Sequence, residues 1–283
     1  MEIKNPKDAY SFLKICQKAL EENEVNSNLI LGISNVLAKN KEAYGKENAF
    51  YSIAYNNEIS LIGLMTPQKN LLLYEYRDLN NDVMELFTNN LYSRYSNIPG
   101  VTGEADVVKS FIEKWTKLTN CNYRIERNLR IYKLTAVKNY SKPNGIFRSA
   151  GKGDVEIIMR FISEFFDEIK EPENNERVRE IIEEGMENKE IFVWEDNSIV
   201  SLARKHRPTK HGMAVSCVYT LVEYRSKGYA TAVVAELSRN ILDSGKSFCT
   251  LFTDLSNPTS NSIYQKIGYN PVCDHFSYGF EYK

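Results

Sequence analysis

The chain is 283 residues long, enough for two domains of ordinary size. Its 36 basic and 37 acidic residues leave a net charge of -1, which gives no global field favouring nucleic acid or an acidic membrane surface. An apolar share of 42% fits a soluble globular chain, and no apolar run reaches the roughly 18 residues of a membrane-spanning helix.

Helical spacing is read near Pro6–Glu22 and Ser27–Lys39, and strands near Phe50–Tyr55, Ile59–Met65 and Leu71–Tyr76. Helices follow near Asn81–Tyr95 and Glu104–Leu118, then a strand near Ile125–Val137. The polar stretch Asn139–Gly145, with Pro143 and Gly145, marks a boundary, giving domains over 1–140 and 145–283. A strand begins at Ile146. The next helix carries Ile158, Phe161, Ile162, Phe165, Phe166 and Ile169 in one apolar stripe and is closed by Pro172. An acid-rich helix near Glu176–Glu187 leads to strands at Ile191–Glu195 and Ile199–Ala203, turning at Asp196-Asn197.

A β-rich run then ends at Val218-Tyr219-Thr220 and a glycine loop opens directly into a helix with Ala230, Val233, Val234, Leu237 and Ile241 on one face. Gly245 ends that helix, and Phe248–Leu255 alternates as a strand. Asn257 is a good N-cap, Pro258 suits the first helical position and Gly268 the residue past the end, so a short helix is expected over Pro258–Ile267. Two closing strands run through Phe280.

The loop is the chemically informative feature. The first turn of a helix has free N–H groups and partial positive charge, which together form an anion site. In Arg225-Ser226-Lys227-Gly228-Tyr229-Ala230-Thr231, Gly228 and Ala230 keep side-chain bulk away from those amides, while Arg225 and Lys227 add formal charge. Five cysteines without close pairing indicate reduced thiols in a cytosol, and Met1–Asn5 lacks the apolar core of a secretory signal. Three histidines, none spaced for metal with the cysteines, argue against a zinc site.

The spacing Arg225-x-x-Gly228-x-Ala230 resembles the acyl-CoA pyrophosphate loop of the GNAT-type N-acetyltransferase superfamily. Asn257, followed two turns later by Tyr264 and then by Gly268-Tyr269, resembles that superfamily's second cofactor segment. Val222-Glu223-Tyr224 stands where the family often has a proline before the loop. The resemblance implies an α/β (α+β) fold of two GNAT-like domains, each a mixed, mostly antiparallel central sheet flanked by helices. It implies that acetyl-CoA is the co-substrate. Val218, Tyr219 and Thr220 would pair with pantetheine amides, Arg225 to Thr231 would hold the pyrophosphate, and Asn257, joined by Asn261, would bind the pantetheine or phosphate region. Tyr264 would protonate the departing thiolate, since a phenol titrates near 10 and a thiol near 8.5.

Residues 1–140 follow a similar order but are degenerate. Arg77-Asp78-Leu79-Asn80-Asn81-Asp82 has no glycine, and Asp78 and Asp82 would repel a pyrophosphate. Pro99–Glu104, placed where the Tyr helix belongs, offers no equivalent tyrosine. This half is expected not to bind acetyl-CoA but to shape the acceptor pocket or an interface. The partner expected is a small-molecule or peptide amine, with no nucleic acid and no membrane, and with homodimerisation open. Glu223, Asp254 or a water is the candidate base. His206 and His211 read as exposed loop histidines beside a solvated basic cluster, Arg204, Lys205, Arg207 and Lys210. Cys217 and Cys249 read as small packed residues. Acyl-CoA binding without turnover, and transfer to a hydroxyl or of a longer chain, are the alternatives.

Overall fold

One succession of elements is built twice. The computed structural model describes residues 1–77, 79–171 and 173–283, so the expectations placed on Asp78 and Pro172 lie outside the described residues. The first series runs β1 (Glu2–Lys4), α1 (Ala9–Glu22), α2 (Asn28–Lys39), β2 (Ala49–Tyr55), β3 (Glu58–Met65), β4 (Leu71–Glu75), α3 (Asn81–Tyr92), β5 (Gly100–Glu104) and α4 (Ala105–Thr119). After β6 (Asn122–Leu134) the second runs β7 (Ile146–Ser149), α5 (Val155–Glu168), α6 (Asn175–Glu187), β8 (Ile191–Asp196), β9 (Ser198–His206), β10 (Gly212–Thr220), α7 (Tyr229–Asp243), β11 (Phe248–Asp254) and α8 (Pro258–Ile267). Strand β12 (Asn270–Glu281) closes the chain. This is a mixed, mostly antiparallel α/β architecture.

Two compact units result. The first comprises Met1–Ile131, Thr253–Ser256 and Val272–Lys283, and the second Tyr132–Phe252 and Asn257–Pro271. The division therefore falls within β6 rather than in the 139–145 stretch. The last residues group with the first unit because β12 pairs antiparallel with β5, from His275↔Glu104 to Gly279↔Gly100. A single closing strand replaces the two expected.

In the first unit β2–β3–β4 are antiparallel neighbours, and β4 and β5 are parallel over Leu71↔Val101 to Leu73↔Gly103. Residues 100–104, expected at the Tyr-helix position, thus form a strand. Its glycines hid it. Gly103 lets the backbones approach so closely that an added Cβ would stand 2.6 Å from the Leu73 carbonyl oxygen. Helix α4 is the true counterpart of α8, and it contains no tyrosine. One core holds Phe87, Phe111 and Trp115, and another Phe12, Leu20 and Leu31.

The second unit repeats this arrangement. Strands β7, β8, β9 and β10 are antiparallel in sequence, and β10 and β11 are parallel. Val233, Val234, Leu237 and Ile241 of α7 are buried in one core with Trp194 and Leu251, while Ala230 is half-buried. Ile158, Phe161 and Ile162 of α5 anchor the other, with Phe165 and Phe166 at its margin. Ile169 lies past the helix end and is exposed. Among the described residues no helix is long and apolar enough to cross a membrane.

Gly103→Ala should lower stability by about 1–3 kcal/mol, because the Cβ meets backbone that cannot yield without separating β4 from β5. The denaturant midpoint at unchanged slope measures it; an unchanged midpoint would show that the strands part freely there.

Candidate functional site

Strands β10 and β11 pair in parallel only over Gly212↔Phe248, Met213↔Cys249 and Ala214↔Thr250. Beyond Ala214 no further β11 partner is recorded for β10 among the described residues. On its other side β10 carries a bulge. Ser216 opposes Arg204 and Tyr219 opposes Leu202, so Cys217 and Val218 face the single residue Ala203. Cys217 takes φ 48°, a left-handed conformation costing on the order of 1 kcal/mol in a non-glycine residue. A parting strand and a bulge thus leave main-chain groups around Val218 outside the ladder.

The chain then turns through Val222–Tyr224 and enters α7. Gly228 is the N-cap at φ 86° and makes no side-chain cap, and a Cβ added there would meet open space. Among the described residues no acceptor is recorded for the amides of residues 226–231; the first to bond is Ala232, to the Gly228 carbonyl at 3.0 Å. Ser226, Lys227 and Arg225 are exposed. The site is therefore uncapped, uncovered and carries the positive end of a helix, which suits a diphosphate.

Arg225 is largely engaged. Its Nε donates to the Thr220 carbonyl at 3.0 Å, its Nη2 pairs with Glu168 on α5, and its guanidinium stands 5.3 Å from the Tyr219 ring centroid. It fastens the loop to the end of β10. Lys227 reaches the Glu223 carbonyl at 3.4 Å and lies over Tyr224. Tyr219 donates to Glu164 at 3.0 Å, and the Thr220 and Ser201 hydroxyls are 2.8 Å apart. Burial works against the Glu164 carboxylate, but donors from Arg160 and Tyr219 outweigh it and hold its pKa below the ordinary value. Tyr229 donates to Asp196, and Ala230 and Thr231 occupy the first helical turn.

Tyr264 lies on α8 with its ring buried, in the same core cluster as Val215; Val218 packs against that cluster. Its hydroxyl has no recorded hydrogen-bond partner among the described residues, and burial alone raises its pKa well above the phenol range. The group is a retained proton. Asn257 caps α8, accepting from Ser260 N at 3.0 Å. The Asn261 amide donates to the Asn257 carbonyl at 2.7 Å and accepts from Tyr132 at 3.1 Å. Both asparagines are thus built into the helix start.

Of the candidate bases, Glu223 is exposed with Arg160 3.7 Å away, and Asp254 closes a turn onto the Ser256 amide at 2.7 Å. His206 is not a loop histidine. It is the last residue of β9, its Nε2 is buried without a partner, and burial, with Arg207 and Arg204 nearby, drives its pKa far below the usual value. Arg204 is not solvated but buried against Glu190 at 2.6 Å and Glu184 at 3.3 Å. Cys249 is fully buried and Cys217 packs at the edge of the α5–α6 core. Sequence reasoning missed Glu164, Glu168, Ser201 and Tyr132. The acidic spacing of α5 was the only signal for the first two. Among the described residues no three His, Cys, Asp or Glu side chains group to hold a metal.

Comparison with known proteins bears on the fold. Residues 201–276 match the family described as FR47-like protein. No curated protein matches the sequence. The structure resembles an acetyltransferase of the GNAT family from Colwellia psychrerythraea, at 12% identity over 100% of both chains with a TM-score of 0.63. It resembles a GCN5-related N-acetyltransferase from Sphaerobacter thermophilus at 15% identity, covering 99% of this chain and 95% of that one, TM-score 0.64. A tandem GNAT protein from the clavulanic acid biosynthesis pathway gives 8% identity over 99% and 98%, with a TM-score of 0.57. The chain has the GNAT fold in tandem, and its FR47-like segment spans the bulge, the loop and Tyr264.

A buried phenol holds its proton in the folded state beyond the unfolded value of roughly 10. Stability is therefore present below that pH and is lost as pH rises through it. Tyr264→Phe should flatten this alkaline loss relative to the wild type, measured as denaturant midpoint against pH; identical slopes would mean that Tyr264 titrates as an ordinary phenol.

Proposed function

We propose that the chain transfers an acetyl group from acetyl-CoA to a primary amine of a small molecule, amino acid or peptide by direct attack. The observation that carries this reading is the uncapped start of α7, whose amides at residues 226–231 lie open beside a β10 strand released from β11. An anion with a peptide-like tail suits both features, the diphosphate on the amides and the pantetheine amides on the strand edge.

The amine nitrogen attacks the thioester carbonyl, and the carbon–sulfur bond breaks. A main-chain N–H at the Val218 bulge polarises the carbonyl. Tyr264 gives its proton to the sulfur, a role suited to a phenol with no recorded hydrogen-bond partner among the described residues. The proton shed by the amine passes to Glu223, Asp254 or a water. The anchored Arg225 keeps the loop against α5 while the free amides hold the diphosphate.

With acetyl-CoA and a panel of amines, amino acids and peptides, acetylated product should form. Tyr264→Phe should lower kcat about 10²-fold or more and leave CoA affinity nearly unchanged. An unaltered kcat rejects the proton-donor role, and absence of CoA binding rejects the reading altogether.

A further inference from the structure

The polar stretch between β6 and β7 carries the one Asn-Gly pair in the sequence, Asn144-Gly145. Both residues are exposed to water. Gly145 takes φ 110°, a conformation that favours glycine. It also packs so closely on β8 that an added Cβ would stand 2.4 Å from the Glu195 carbonyl oxygen and 2.6 Å from Trp194 Nε1. The fold therefore requires glycine here. The missing Cβ has a chemical consequence, because no side chain on residue 145 shields its own nitrogen from the amide group of Asn144. No acceptor is recorded for the Gly145 N–H among the described residues. An N–H that is not tied to an acceptor is free to give its proton to water or hydroxide.

The carbonyl that joins the pair is held firmly. Asn144 O accepts from Trp194 Nε1 at 2.8 Å, and the Trp194 ring is buried in the core under α7. A donor on that oxygen draws electrons from the Asn144–Gly145 amide, which makes its N–H more acidic and its carbon more electrophilic. The geometry thus collects an exposed side-chain amide, an unbonded nitrogen one residue on and a fixed donor on the bond between them. In the first step Gly145 N gives up its proton and bonds to Asn144 Cγ. The Cγ–Nδ2 bond breaks, and ammonia leaves with the proton that Gly145 gave up. Water then opens the cyclic imide. Attack at Cγ gives aspartate. Attack at the Asn144 main-chain carbonyl carbon gives isoaspartate, with the chain rerouted through Cγ. Trp194 polarises the second of these carbons.

We propose that Asn144 is a site of spontaneous deamidation in the folded chain, with isoaspartate favoured by the Trp194 donor. It stands independently of acyl transfer. The test is prolonged incubation of the full chain at mildly alkaline pH, followed by peptide mass mapping, with the urea-unfolded chain incubated alongside. The peptide that holds Asn144 should gain about 1 Da as an amide becomes a carboxyl, and should do so before any other asparagine peptide. Asn144→Gln, which would have to close a larger ring, should lose that gain. The two products separate by chromatography, and the isoaspartate share should be higher from the folded chain, where the indole is fixed on the carbonyl, than from the unfolded one. A folded chain left unchanged over the time that converts the unfolded chain overturns the proposal. So does earlier conversion at another asparagine, or a gain that persists in the same peptide of Asn144→Gln. Equal isoaspartate shares overturn the part given to Trp194. The comparison of folded and unfolded chains uses the wild type, so it decides even if the variant does not fold.

Discussion

The site in the second unit follows from one constraint: two parallel strands held together over only three residue pairs. A parallel pair needs a crossover, and the crossover here is α7. A crossover helix must start at the end where the first strand finishes. The open amides of residues 226–231 are therefore set beside the released stretch of β10 by topology, before any side chain is chosen. The bulge at Cys217 and Val218 adds to the same place, removing the opposite ladder for one residue. Unpaired main-chain groups are costly where water is excluded. A site that collects them on both a strand edge and a helix start is stabilised by a ligand bearing both amides and anionic oxygens.

The first unit shows that topology alone does not make that ligand site. It has the same parallel pair, the same crossover helix and the same parting. There, however, Asn80 fills the helix start, where the second unit has a bare glycine at positive φ. A side-chain oxygen on the N-terminal amides does for the helix what a bound anion would do, so the helix no longer needs one. The mouth of the first unit's gap is lined by Glu22, Glu75 and Glu104 with Arg77 among them. The same topology thus carries an open helix start in one unit and a side-chain-capped one in the other.

What could be read from the sequence divides along the range of the interactions. The faces of α5 and α7, the Asn257 cap and the Gly268 stop depend on neighbours within a turn or two, and they stand where periodicity and capping put them. Strand β5 has two glycines in five residues and only became a strand by pairing with β4 and β12. Strand β12 looked like the end of the second half because nothing local discloses that its partner is β5, more than 150 residues earlier in the chain. The same holds for charge. Arg225 reads as a free cation until Glu168, 57 residues away, is folded against it, and Arg204 reads as solvated until Glu190 buries it. Bulges have no local signature at all, so Cys217 and Val218 could be named but not placed.

Tyr264 is the residue on which folding and chemistry separate. Counting from the helix starts, it is the seventh residue of α8, and the seventh of α4 is Phe111. Both rings are buried in the core of their unit. Phe111 supplies what packing requires, an aromatic ring with no polar atom to satisfy. Tyr264 supplies the same ring with a hydroxyl for which no hydrogen-bond partner is recorded among the described residues. Packing asks only for the ring, so the hydroxyl is an addition that the core itself does not require. In the acyl transfer proposed above, that hydroxyl would serve the leaving sulfur, the one group of a thioester that needs a proton.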